Sequence, residues 1–164
     1  MGSEVIIYAY GLVCLSMLAF NTIYSLYLRS DEYRLKRKIA RISHRVTVQI
    51  QRIETGQSVE EKHCYWMRRR LSRVNALLAF DRFLDERDGR DPAFSEYLQQ
   101  LRPVFLYLAA VYQRREDTQA AYYCHFLSRH LSRGSVQTEE LQSIIASYME
   151  KKSLYCRLNT LKAL

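Results

Sequence analysis

The sequence predicts an all-α chain in which an N-terminal transmembrane helix precedes a basic helix and a helical domain, and three observations predict it. The first is an uncharged run from Val5 to Leu28, VIIYAYGLVCLSMLAFNTIYSLYL. The second is the recurrence of apolar residues at spacings of three and four through the rest of the chain, the period of a helix that buries one face. The third is the scarcity of breakers, with 5 glycines and 2 prolines in 164 residues, and the lack of any alternating pattern that would mark a strand. With 48% hydrophobic residues the chain is no disordered tail, and the length left after the first helix suits one modest domain.

The first helix, residues 1–30, is the anchor. A run of about 20 apolar residues crosses the hydrocarbon core of a bilayer. Tyr8 and Tyr10 lie towards one end and Tyr24 and Tyr27 towards the other, where amphipathic rings sit at headgroup level. Only Glu4 is charged on the N-terminal side, whereas Arg29, Arg34, Lys36, Arg37, Lys38, Arg41 and Arg45 follow the run. The positive-inside rule therefore predicts a single-pass cell-membrane protein with its N-terminus outside and its C-terminal domain in the cytoplasm. A cleaved signal peptide is the main rival, but no basic residue precedes the apolar run, and the cluster behind it resists translocation. A lipoprotein at Cys14 needs small residues where Leu12 and Val13 stand, and myristoylation of Gly2 needs Ser or Thr where Ile6 stands. Ser16, Asn21, Thr22 and Ser25 can bond either to their own backbone or to a neighbouring helix.

Residues 31–56 form the basic amphipathic juxtamembrane helix. Leu35, Ile39, Ile42, Val46, Ile50 and Ile53 make one stripe, Lys36, Arg37, Lys38, Arg41, Arg45 and Arg52 occupy the other faces, and Gly56 ends the run. Packing on the following domain is its first expected use, with lipid contact and pairing with a second copy as the others.

Residues 57–164 form the helical domain. Ser58 and Glu61 have the spacing of a capping box and start a helix that carries Met67, Leu71, Val74 and Leu78 on one face, supported by Leu77, Phe80 and Leu84, up to the polar stretch around Gly89 and Pro92. The next run aligns Tyr97, Leu98, Leu101, Phe105, Leu108 and Tyr112, and Pro103 predicts a kink or break near Leu101. Asp117 is expected to cap a helix with Ala120, Cys124, Leu127 and Leu131 on its stripe, ended by Gly134. Thr138 is expected to cap another through Leu141, Ile144, Ile145 and Tyr148, and Ser153 a last one carrying Leu154, Leu158, Leu161 and Leu164. Helices of this length joined by short turns pack as antiparallel neighbours, in a bundle or in a stack of hairpins.

The stretch from Cys156 to Leu164, CRLNTLKAL, resembles the second helix of a HEAT repeat, whose pattern is a small apolar residue, Arg, then small and apolar residues ending in Ala-Leu. Thr160 stands where Ala is usual. With LSRVNALLAFDRFLDE and LRPVFLYLAAVY, the chain is similar to the bacterial membrane-anchored HEAT-repeat domain proteins of Firmicutes type. That resemblance implies a membrane helix and a basic helix ahead of a HEAT-like stack of antiparallel helical hairpins. Arrays of that kind need a polar capping repeat, so the reading leads us to expect either a shortened array or a last helix that docks elsewhere.

Sites of chemistry are few. The glycines form neither a phosphate-binding loop nor a dinucleotide fingerprint, and zinc-protease and serine-hydrolase motifs are lacking. His63-Cys64 and Cys124-His125 supply four zinc-type ligands, but adjacent helical residues diverge by about 100°, which makes buried thiols the better expectation. Cys14, Cys64, Cys124 and Cys156 form no C-x-x-C pair and suit reduced thiols. Asp81, Asp85 and Glu86 have a spacing that holds Mg²⁺, yet the interleaved Arg82, Arg87 and Arg90 explain them as solvated ion pairs. No cofactor or metal is expected.

The formal charge of +8 and pI near 9.4 call for an anionic neighbour. Arg68, Arg69, Arg70 and Arg73, beside Tyr65 and Trp66, are the expected partner-binding face, and Lys36, Arg37, Lys38 and Arg41 the expected lipid-contacting residues. The expected function is a non-catalytic, membrane-anchored scaffold for protein-protein interaction, able to meet a cytoplasmic or membrane protein, anionic headgroups or a second copy. The alternatives are a HEAT-like nucleic-acid-binding protein or glycosylase, and a membrane enzyme using the Asp81 and Asp85 carboxylates.

Overall fold

The computed structural model describes residues 2–86, 91–130 and 139–164, with side chains from Ile7 onward. Among the described residues the regular structure is helical throughout: α1 (Gly2–Glu54), α2 (Glu61–Leu71), α3 (Val74–Asp85), α4 (Pro92–Gln100), α5 (Arg102–Gln113), α6 (Asp117–His130), α7 (Glu139–Ala146), a short 3₁₀ turn (Ser147–Glu150) and α8 (Leu154–Ala163). The chain divides after Lys38 into two compact units.

The first unit is the leading part of α1. This is a helix long and apolar enough to cross a membrane, with none of its most apolar stretch buried. Leu12, Leu15, Leu18 and Phe20 are each more than 60% exposed, an apolar surface that water does not tolerate on a single helix. Its hydroxyls are satisfied locally, Ser16 Oγ donating to the Val13 carbonyl and Thr22 Oγ1 to that of Leu18, both at 2.8 Å. The apolar run and the basic segment form one uninterrupted helix through Ser30.

The second unit begins at Ile39. Of the apolar stripe of α1, Ile42, Val46, Ile50 and Ile53 are buried, while Leu35 and Ile39 at its leading end are half-buried. Gly56, at φ +78°, ends the run in the left-handed conformation that a side chain resists. The capping box is not made. Two glutamines from other helices take the amides near the start of α2, Gln100 Oε1 accepting from Val59 N (2.7 Å) and Gln49 Oε1 from Glu60 N (3.0 Å). The helix accordingly opens at Glu61 with no side-chain cap.

The long helix expected from Ser58 onward is two helices. Ser72 and Arg73 interrupt it, Arg73 in extended conformation, although neither Gly nor Pro is present. The turn shifts the buried face: Val74 and Leu78 are half-buried, while Ala76, Leu77, Ala79, Phe80, Phe83 and Leu84 fill the interior. The break at Leu101 falls where Pro103 places it, between α4 and α5. Asp91 caps α4 through Ala93 N (3.0 Å) with Pro92 in the first turn. Asp117 is the first residue of α6 rather than its cap. Its Oδ2 accepts from Ser153 N (2.9 Å) and its Oδ1 lies 3.6 Å from Lys151 Nζ, joining the starts of α6 and α8. Ser153 caps α8 through Cys156 N (3.4 Å). Gly89, Leu131, Gly134 and Thr138, together with Arg87 and Arg90, lie outside the described residues.

The leucine stripe expected to bury α8 points outward. Leu154, Leu158, Leu161 and Leu164 are 73, 49, 60 and 46% exposed, and Cys156, Asn159, Thr160 and Ala163 are buried instead. The reason is proximity: α6 and α8 make the most extensive helix contact among the described residues. Small residues on both sides, Ala120, Ala121 and Cys124 against Cys156, Thr160 and Ala163, allow an approach that leucines would block. Elsewhere α5 packs against both α2 and α7, and α6 against both α3 and α8; α2 with α3, α5 with α6 and α7 with α8 also touch.

Four tyrosines sit in the centre at 0% exposure. Tyr112 donates to the Leu71 carbonyl (2.8 Å), Tyr123 to that of Phe105 (2.6 Å) and Tyr148 to that of Ala109, while Tyr97 pairs with His63 Nε2 (2.8 Å). Tyr112 and Tyr123 also stack, 4.9 Å between centroids. Tyr112→Phe keeps the ring but strands the Leu71 carbonyl, and urea unfolding of the detergent-solubilised chain should show a loss of about 1–2 kcal/mol. Tyr123→Ala, which also empties the space of the ring, should cost about 3–5 kcal/mol by the same measurement.

Candidate functional site: an arginine cup around Trp66

Trp66, Arg69, Arg70 and Arg73 line a concavity of about 310 Å³. The first three belong to α2 and Arg73 to the turn that follows, so the helical spacing of three, four and seven residues brings them to one side. Arg45, from α1, lays its guanidinium 4.5 Å from the centre of the Trp66 ring, and that of Arg70 lies at 5.9 Å. Cation–π attraction of this kind contributes about 0.5–1 kcal/mol per contact at exposed sites. Among the described residues no carboxylate stands at ion-pair distance from Arg45, Arg69, Arg70 or Arg73. The C-terminal end of α2, whose last turn holds Arg68, Arg69 and Arg70, offsets part of their mutual repulsion through its negative dipole end.

Of the four arginines expected to share a face, the structure brings three together. Arg68 turns away, its guanidinium 5.7 Å from the Tyr107 ring centre on α5. Tyr65 is 67% exposed and lies outside the lining. Arg45 is the member that sequence reasoning missed, because it is 21 residues from Trp66 and looked like one of many cations on α1. Of the residues expected to meet lipid, Lys36, Arg37 and Arg41 are exposed and Lys38 half-buried.

The second polar cluster is closed. Asp81, 4% exposed, accepts from His130 Nε2 through Oδ1 (2.6 Å) and from the Tyr122 hydroxyl through Oδ2 (2.9 Å). Arg129 binds Asp85 Oδ1 at 2.6 Å and approaches Asp81 Oδ1 to 3.6 Å. Burial alone would raise the Asp81 carboxyl, but the hydrogen bonds from His130 and Tyr122, with the charges of His130 and Arg129, outweigh it and hold the group below the usual carboxylate range. Asp81, Asp85 and His130 are close enough to surround a cation. Their oxygens, however, already face a guanidinium, an imidazole and a phenol, and the arrangement ties α3 to α6. Glu86 is exposed and lies outside this cluster.

His63 is 5% exposed and its pKa falls to about 4, chiefly by burial and then by the nearby charge of Arg45. Burial likewise pushes the Cys124 thiol up to about 12, beside the Thr160 hydroxyl at 3.7 Å, and raises Cys64 and Cys156. Thiols held protonated are weak nucleophiles and weak metal ligands. Among the described residues, neither His-Cys dipeptide joins a cation-holding group.

Two outcomes follow from these environments. Folded His63 takes its proton only near pH 4 and the unfolded residue near 6.5. The unfolded chain therefore binds the extra proton between those values, and stability falls by up to about 3 kcal/mol as the pH drops through that window. Urea titrations at intervals from pH 7 to 4 should show the slope, and His63→Gln should flatten it. His130→Ala, which leaves the buried Asp81 short of its main partner, should cost about 3 kcal/mol at neutral pH, against about 1–2 kcal/mol for Tyr122→Phe. No protein-family model, curated protein or solved structure matches this chain.

Proposed function

We propose that this chain is a non-catalytic, membrane-anchored helical-repeat scaffold that holds an acidic protein at the cytoplasmic face of the membrane. The observation that carries the reading is the cup: four guanidiniums gathered around one tryptophan with no carboxylate among the described residues to neutralise them. Charge left unmatched on a concave, aromatic-floored surface is complementary to an anionic partner, and Arg and Trp are the residues that most often anchor interfaces.

The exposed apolar length of α1 supports the anchor, and the cations that follow it support the orientation. Lys36, Arg37, Lys38 and Arg41 add attraction to anionic headgroups of about 1 kcal/mol each. The two rows of contacts, α2–α5–α7 and α3–α6–α8, support a HEAT-like stack of the hairpins α2/α3, α5/α6 and α7/α8. The closed state of the Asp81 cluster supports a binding role over a catalytic one.

The test is cross-linking in cells followed by purification of the full-length chain in detergent, alongside an Arg69→Glu, Arg70→Glu variant. The wild type should carry neighbours that the variant loses, and identical neighbours would sink the docking role of the cup. The wild-type chain should also stay in the membrane pellet at alkaline pH. Its release into the supernatant would remove the anchor.

A further inference from the structure

We propose that the cup around Trp66 binds a phosphate monoester carried by the acidic partner. This rests on the reading of the arginine face as the docking surface and adds the chemistry of the group it grips.

Charge and geometry select phosphate over carboxylate. Arg69, Arg70 and Arg73 line one concavity, with Arg45 beside them on the tryptophan ring. A carboxylate brings one charge and two oxygens. A phosphate monoester brings about 1.5 to 2 charges and three acceptor oxygens, enough for several guanidinium forks at once. The start of α3 adds no anion of its own. Arg73 is its N-cap residue, there is no side-chain cap, and the first turn holds no acidic residue. The negative end of α2 and the positive end of α3 meet at this turn and oppose one another, so the guanidiniums carry the attraction. The volume, about 310 Å³, holds a phosphate and the short side chain that carries it. Bilayer phosphodiesters carry a single charge each and match the cup less well.

Trp66 is the only tryptophan in the chain, so its fluorescence reads the cup directly. The full-length protein in detergent is titrated with a short glutamate-rich peptide bearing a central phosphoserine, with twins bearing Ser or Glu at that position, and separately with short-chain phosphatidylglycerol. The phosphopeptide should bind at least about tenfold more tightly than either twin, a difference typical of charge-assisted contacts. Arg69→Gln with Arg70→Gln should remove that advantage, while the corresponding double Lys variant should retain part of it, and circular dichroism should confirm that both variants are folded. Equal binding of the phosphoserine and Glu peptides, lost together in the Gln variant, would leave the arginine face standing and overturn the phosphate. Saturation by the lipid with no response to the phosphopeptide would make the cup a headgroup site and overturn the proposal. No response to any probe, together with unchanged neighbours in the charge-reversed chain, would remove both readings.

Discussion

A tyrosine hydroxyl taken out of water must find a partner, and this domain buries four of them completely. Their partners decide how the helices meet. Tyr123 and Tyr148 both reach carbonyls of α5, Phe105 and Ala109, which makes α5 the element that its neighbours are fastened to. Tyr112 leaves α5 for the last carbonyl of α2, and Tyr97 fixes α4 to α2 through His63. Aromatic rings supply the apolar volume, and each hydroxyl permits only the packing that gives it a hydrogen-bond partner.

The interruption at Ser72–Arg73 is where core and surface depend on one another. Ending α2 at Leu71 frees the carbonyl that Tyr112 requires, so the break belongs to the packing. The same break makes Arg73 the N-cap residue of α3 and completes the rim around Trp66. A feature tied to a buried hydrogen bond therefore also assembles the arginine cup.

Much of this architecture was legible in the sequence, and what was not has identifiable causes. Periodicity located the buried isoleucines of α1, Pro103 the division between α4 and α5, and Ser153 the start of α8, because each signal acts within a few residues. The break after Leu71 carries no local signal, since a distant tyrosine rewards it. The Ser58 box failed for the same reason, its neighbouring amides being claimed by Gln49 and Gln100 from elsewhere in the chain. In α8 the more hydrophobic side looked like the inner one, but a close helix crossing favours small residues over large. The cup was read in part: helical spacing aligned Arg69, Arg70 and Arg73, while Arg45 joins them only through the tertiary fold.

The outward leucines of α8 have a practical consequence. A version of the chain that begins at Ile39, keeping the buried part of α1 but not its apolar leading part, would still display a greasy flank formed by Leu154, Leu158 and Leu161, with Tyr155 alongside. Clumping of such a fragment at high concentration in aqueous buffer would then reflect its natural surface rather than a failure to fold. A mild surfactant would have work to do even after the long apolar stretch is gone.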